Sequence, residues 1–297
     1  MSAASPTRSR PVRFRAWFMD LGWRHVVGAF VAVVALFPLV YILSASLNST
    51  GTLLAANGLF QSISLDNYND LFNDPDVPYA SWWVNTMIVA SLDAVGAVAI
   101  SLLAAYPFSR MSFRGRRWGL AGLILIQIFP QFLSLVAIFL LLDWIGSLFP
   151  VIGIGTLPGL LLVYLGGSLG ITTYLLAGSM NSVPREIDEA ARIDGAGHLR
   201  IFLTIITPLV APMIVALLVI NFILAVGEYA IASVILPAAD NQTVAVGLTV
   251  FISSLDGRNS NWGMFAAGAI LAAVPVLLLF FALQRYIVSG LSAGSVK

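Results

Sequence analysis

The chain has 297 residues, of which 59% are hydrophobic and 10% charged, and its net charge is +1. Soluble domains carry about 25% charged residues, so a soluble globular protein is excluded, and so is a basic nucleic-acid-binding surface. There are no cysteines, which removes disulfides and thiolate chemistry, and two histidines, His25 and His198, are too few and too far apart for a metal cluster.

Residues 1–25 form a basic N-terminal segment with Arg8, Arg10, Arg13, Arg15 and Arg24. An apolar run follows at Val26–Ala45. It is longer than the roughly 7–15 residues of a signal peptide core, so it reads as a retained first membrane helix. A membrane helix needs about 20 largely apolar residues. Five further runs meet that need: Val84–Phe108, Trp118–Leu142, Pro158–Leu176, Leu209–Tyr229 and Met264–Tyr286. The expected fold is all-α, with six membrane helices filling residues 26–289. Pro38, Pro130, Pro212 and Pro275 fall inside these runs, where neighbouring helices can satisfy the freed carbonyls.

Arginine and lysine set the expected orientation. The N-terminal segment, the link with Arg110, Arg114, Arg116 and Arg117, the link with Arg185, Arg192 and Arg200, and the C-terminal pair Arg285 and Lys297 hold fourteen of the fifteen basic residues. The opposite side holds Arg258 and the acids Asp66, Asp70, Asp74, Asp76, Asp240 and Asp256. A multi-pass protein of the cytoplasmic (inner) membrane with both termini cytoplasmic is expected. The external loops 46–83 and 230–263 are long and polar. Loops beyond about 12–15 residues usually have a task, and docking of an external partner is the sharper reading of both.

The cytoplasmic loop 179–208 is the most informative segment. Ser182-Val183-Pro184 reads as a helix start, and Glu186, Asp188 and Glu189 suit the positive end of the helix dipole. Arg185 with Glu189, and Asp188 with Arg192, have the spacing of helical ion pairs. Ala190 and Ala191 offer a small face that another surface can approach closely. Gly195 is placed to end the helix with a positive φ. A second helix is expected over 197–206, and Pro208 leads into the next span.

Glu189, Ala190, Ala191, Gly195, Ile205 and Pro208 together resemble the cytoplasmic signature of binding-protein-dependent ABC import permeases. The tail at Gly290–Lys297 and the loop lengths are similar to the sugar-permease branch, of the maltose (MalG-like) type. One departure is Thr207, where the family pattern usually has leucine. The resemblance implies the type I importer permease fold and a non-catalytic subunit. It also implies a second homologous permease, two ATPase subunits that bind ATP and magnesium, and an extracytoplasmic sugar-binding protein. Glu189, Ala190, Ala191, Asp194, Gly195, Ile205 and Pro208 would couple to the ATPases, and the tail residues Gly294, Ser295, Val296 and Lys297 would touch them. The cargo implied is a di- or oligosaccharide such as maltose or maltodextrin. Lys297 is the only lysine, so the chain has no G-x-x-x-x-G-K-[ST] phosphate loop of its own.

Polar residues inside the spans are costly and should face the bundle interior. Asp93 either lines a pathway or is simply paired or protonated there. Glu228 marks the outer end of the fifth span. Gln127, Gln131 and Asn221 could contact sugar or bond between helices. Two rival readings are a secondary sugar transporter acting alone and a serine hydrolase using Ser168 in Gly166-Gly167-Ser168-Leu169-Gly170. The hydrolase motif requires a strand–turn–helix setting. Close helix packing by the glycines is the stronger reading.

Overall fold

The computed structural model describes residues 22–49, 58–128, 131–252 and 261–293, and the side chains at 128–132 and 287–293 lie outside the described set. The helices are α1 (Trp23–Ser46), α2 (Asp66–Asn73), α3 (Tyr79–Arg110), α4 (Arg116–Ile128), α5 (Gln131–Leu148), α6 (Leu157–Ser182), α7 (Arg185–Ile193), α8 (His198–Leu209), α9 (Ala211–Gly227), α10 (Ala230–Ile235), α11 (Val244–Gly247) and α12 (Trp262–Ala293). Short 3₁₀ turns at Pro150–Ile152, Ala239–Asn241 and Leu248–Phe251 complete the regular structure among the described residues.

Helices α1, α3, α6 and α12 are each long and apolar enough to cross a membrane, and α8 with α9, bent by 74°, makes a fifth if the pair is counted as one span. The expected third span corresponds to α4 and α5, on either side of residues 129–130, which with Pro130 lie outside the described residues. The all-helical architecture agrees with expectation and is compatible with six spans.

The bend has a local cause. Val210 leaves the helical region at φ −96° and ψ 8°, and Pro212 has no N–H to offer the carbonyl of Pro208. Pro212 therefore stands within the expected run, in the first turn of α9. Pro38 and Pro275 do lie within helices. The fourth span runs six residues past its expected end at Leu176, to Ser182, and Thr156 caps its start by accepting from Gly159 N at 3.1 Å.

Helix α3 is the hub. It packs along α6 and α9, and α9 packs on α12, whose other side carries α1. Small buried residues (Ala90, Ala94, Ala97, Ser101 and Ala105) run down α3, which lets neighbouring backbones approach as membrane helix packing requires. Lipid tails are as apolar as leucine, so close contact rather than burial from water holds such helices together. The exposed apolar face of α1 suits lipid or another apolar surface.

The loop segments at the Tyr79 end are pinned. Asn67 Nδ2 donates to Ser46 O and Asn48 O, each at 2.9 Å, fixing α2 to the end of α1. Trp82 Nε1 donates to Ala239 O at 2.7 Å, Asn85 Nδ2 donates to Gln242 O at 3.1 Å, and Val244 N donates to Thr86 Oγ1 at 2.8 Å. The described parts of both expected external loops are thus built against the bundle.

Candidate functional site

The loop 179–208 folds as α7, a tight turn and α8. Helix α7 starts differently from expectation. Ser182 belongs to the end of α6, where its Oγ donates to Ser179 O at 2.7 Å, and Pro184 is the N-cap of α7 without a side-chain cap. The other end is as expected: Gly195 has φ +84°. Gly195 N donates to Arg192 O at 3.0 Å and Ala196 N to Ala191 O at 2.9 Å, the paired bonds of a Schellman turn.

The expected ion pairs within α7 do not form. Asp188 turns inward and pairs with Arg110 of α3, Nε to Oδ2 at 2.9 Å, with side chains only 1% and 5% exposed. Arg185 Nη2 donates to Ser109 O at 3.2 Å instead of meeting Glu189. Helix-surface pairs contribute only about 0.2–0.5 kcal/mol, so a buried partner on α3 outcompetes them. Arg110 Nη2 also donates to Val183 O at 3.0 Å. Arg116 Nε reaches Phe108 O at 2.6 Å, and Ser109 Oγ donates to Asn181 Oδ1 at 2.9 Å. The last turn of α3 therefore clasps the ends of α6 and α7. Arg110 was the residue that sequence reasoning missed. Its signal was a charge in the last turn of a span, next to a loop rich in acids.

With Asp188 inward, the opposite face of α7 is bare. Glu186, Glu189, Ala190 and Arg192 are exposed, Ala191 is half-buried, and Asp194 and Gly195 are exposed. Ile193 is 87% exposed and Leu199 68%. Helix α8 has Ile201, Phe202 and Ile206 buried with Tyr106 and Met180, and Ile205 is half-buried against that cluster. Its segment Ile201–Ile206 winds as a π-helix before the exposed Pro208. Thr207 belongs to this turn: Phe202 O accepts both its amide and its Oγ1, the latter at 2.8 Å. The hydroxyl at the departing position is therefore satisfied within the helix. The tail residues Gly294, Ser295, Val296 and Lys297 lie outside the described residues.

The polar residues of the spans meet in one cavity of about 350 Å³ between α3, α4, α6 and α9. Asp93, Gln127, Asn221 and Glu228 all line it, with Tyr164 and Ser168. Gln131 opens α5, and its side chain lies outside the described residues. Asp93 is 3% exposed, and Ser168 Oγ lies 3.5 Å from its Oδ2. Asn221 Nδ2 donates to Thr172 Oγ1 at 3.4 Å, and Gln127 Nε2 to Gly167 O at 2.6 Å. Helix–helix bonding is thus a use the structure displays for both. Tyr164 Oη donates to Glu228 Oε2 at 2.8 Å, and Glu228 accepts the amides of Ile231 and Ala232 at 2.8 and 3.0 Å. The Gly166–Gly170 run is helical within α6, and Ser168 Oγ donates to Tyr164 O at 3.0 Å. It lacks the strand–turn–helix setting of a nucleophile elbow, and Gly170 lies against Gln127, as close packing demands.

An all-helical, apolar bundle with a polar inner cavity and an exposed helical handle at its arginine-rich end has the architecture of a membrane permease. Residues 97–293 match the family described as the binding-protein-dependent transport system inner membrane component, and the chain belongs to that family. Among its relatives are the maltodextrin transport system permease protein MdxG of Bacillus subtilis, 39% identical over 90% of this chain and 92% of that one. The galactooligosaccharides permease protein GanQ of the same organism is 34% identical over 94% and 96%. MalG, the maltose/maltodextrin permease protein of Escherichia coli, is 34% identical over 90% and 92%. The fold is shared with a crystal structure of a bacterial ABC transporter involved in the import of the acidic polysaccharide alginate, at TM-score 0.76 and 22% identity, covering 94% of this chain and 100% of that one. The chain is thus a multi-pass inner-membrane permease component, not an enzyme.

Proposed function

We propose that this chain is one permease subunit of an ATP-driven importer of a di- or oligosaccharide, of the maltose/maltodextrin kind. The three relatives carry maltodextrin, galactooligosaccharide and maltose in their names, which supports a saccharide cargo. The importer comprises a second homologous permease, two ATPase subunits that bind ATP and magnesium, and an external sugar-binding protein. A solved structure of similar fold, a bacterial alginate ABC transporter in complex with an alginate pentasaccharide-bound periplasmic protein, supports the last of these partners.

The observation that carries the reading is the handle. Helix α7 is tied to the bundle on one face and bare on the other, and it ends in a turn that only a positive φ allows. Glu189, Ala190, Ala191, Asp194, Gly195, Ile205 and Pro208 are assigned to ATPase coupling, and the Gly294–Lys297 tail to a further ATPase contact. Segregation of Arg110, Arg114, Arg116, Arg117, Arg185, Arg192 and Arg200 at one end, with Asp66, Asp70, Asp74, Asp76 and Asp240 at the other, supports a cytoplasmic handle and cytoplasmic termini. The cavity holding Asp93, Gln127, Asn221 and Glu228 is assigned to the sugar path, with Gln131 beside it in sequence.

The test is uptake of radiolabelled maltodextrin by cells carrying the complete transporter, with and without Gly195→Asp. The expected result is uptake by the native transporter and loss in the variant, at unchanged membrane abundance. Native transporter that takes up no maltodextrin overturns the cargo. Full uptake and full ATPase co-purification with Gly195→Asp overturn the handle.

A further inference from the structure

We infer that the buried Arg110–Asp188 pair is the joint through which displacement of α7 is delivered to α3, and that it stays closed through the transport cycle. This rests on the proposed coupling role of α7.

The joint is more than one contact. Arg110 holds Asp188 at 2.9 Å and Val183 O at 3.0 Å. Tyr106, one turn earlier on the same face of α3, has its Oη 3.3 Å from His198 O at the start of α8, and its ring packs on Phe202. One turn of α3 therefore grips both halves of the handle, on either side of the Gly195 turn. A charge pair this deeply buried is expensive to open, because each ion would be left unpaired away from water. A surface pair would slip under load, and this one does not.

The other end of α3 is gripped as firmly. Trp82, Asn85 and Thr86 bond to residues 239–244 of the loop at the far end of the bundle. Both grips are on one helix of 32 residues, about 48 Å long at 1.5 Å per residue. Pro107, the proline inside α3, falls within the joint, between Tyr106 and Arg110. From Tyr106 to Thr86 the helix has no proline, so movement of α7 taken up at the joint is delivered along that stretch to the loop.

The experiment uses the complete transporter in proteoliposomes and reads maltodextrin moved per ATP hydrolysed. Asp188→Arg and Arg110→Asp should each lower that ratio by about tenfold or more, the size of a typical coupling between sites, while the ATPase subunits still co-purify. The double reversal Arg110→Asp with Asp188→Arg should restore it to within about threefold, because the pair is remade. The chain lacks cysteine, so Arg110→Cys with Asp188→Cys offers a second measurement. Joining the two thiols with a short bifunctional reagent should restore the ratio lost in the unjoined double variant. Normal ratios in the single reversals overturn the inference. So does a joined variant that stays uncoupled, including where the single reversals fail to insert. If Gly195→Asp is also without effect, the role of α7 itself has failed; if Gly195→Asp uncouples and these variants do not, only the joint has.

Discussion

The indole of Trp82 fills the space that a Cβ on Gly247 would occupy, and its Nε1 holds Ala239 O at 2.7 Å. One side chain of α3 thus binds both ends of the segment from Ala239 to Gly247. Gly247→Ala must push the ring away and strain the Nε1 bond. Overpacking a tight contact costs about 1–3 kcal/mol. The expected outcome is a lower thermal midpoint of the detergent-purified protein. Gly178→Ala is the control, since nothing lies within 4 Å of its added Cβ, and no drop is expected there.

A second tie crosses the cavity. Glu228 joins Tyr164 of α6 to the start of α10 through three hydrogen bonds. Tyr164→Phe removes one of them and leaves the two amides in place. A hydrogen bond to a charged group contributes about 1.5–3 kcal/mol, so a measurable loss of stability is expected. Glu228→Ala removes all three and should cost more. Equal midpoints for the two variants in a melting series would show that the amides of Ile231 and Ala232 find other acceptors.

Four of the six expected spans stand as single long apolar helices, and they were legible because length and hydropathy alone define a membrane helix. The Gly195 turn was legible because a glycine after a helical run has one common use, and φ +84° bears it out. Asp93 was expected to face the bundle interior, and it lines one cavity with Gln127, Asn221 and Glu228. The partners of charges were not legible. Asp188 has an arginine four residues away in sequence, yet it pairs with Arg110, 78 positions earlier. Local spacing describes a helix surface in water, and Asp188 sits in a clasp built by α3 and α6. Nor did the proline pattern foretell the 74° bend. Pro212 was one of several prolines within the expected runs, and among the described residues only at this one do two helices meet, at Val210, with such a bend.

The charge segregation makes a direct topological prediction. A single cysteine at Ile193 should react with a membrane-impermeant maleimide only after the cytoplasmic side is opened. A single cysteine at Ile63, 75% exposed at the opposite end, should react in intact cells. The chain has no cysteine of its own to confuse the labelling. Reversal of the two patterns would invert the orientation and remove α7 from reach of any cytoplasmic ATPase.

Three substitutions at Gly195 separate the turn from its surface. No atom lies within 4 Å of an added Cβ there, so backbone conformation and charge are what a new side chain changes. Asparagine tolerates a positive φ better than other residues with a Cβ, so Gly195→Asn should keep most transport. Gly195→Val forces a β-branched residue into the left-handed region, where the cost is about 1–2 kcal/mol or more; the Schellman turn opens and transport falls. Gly195→Asp tolerates the backbone nearly as asparagine does, but places a second carboxylate beside Asp194 at the negative end of α7. Loss in both Val and Asp variants with retention in Asn assigns the site to turn and contact together. Loss in Val alone leaves only a requirement of the turn and overturns the ATPase contact assigned to this position. Uptake of labelled maltodextrin, normalised to membrane abundance and to ATPase recovered with the permease, reads the difference.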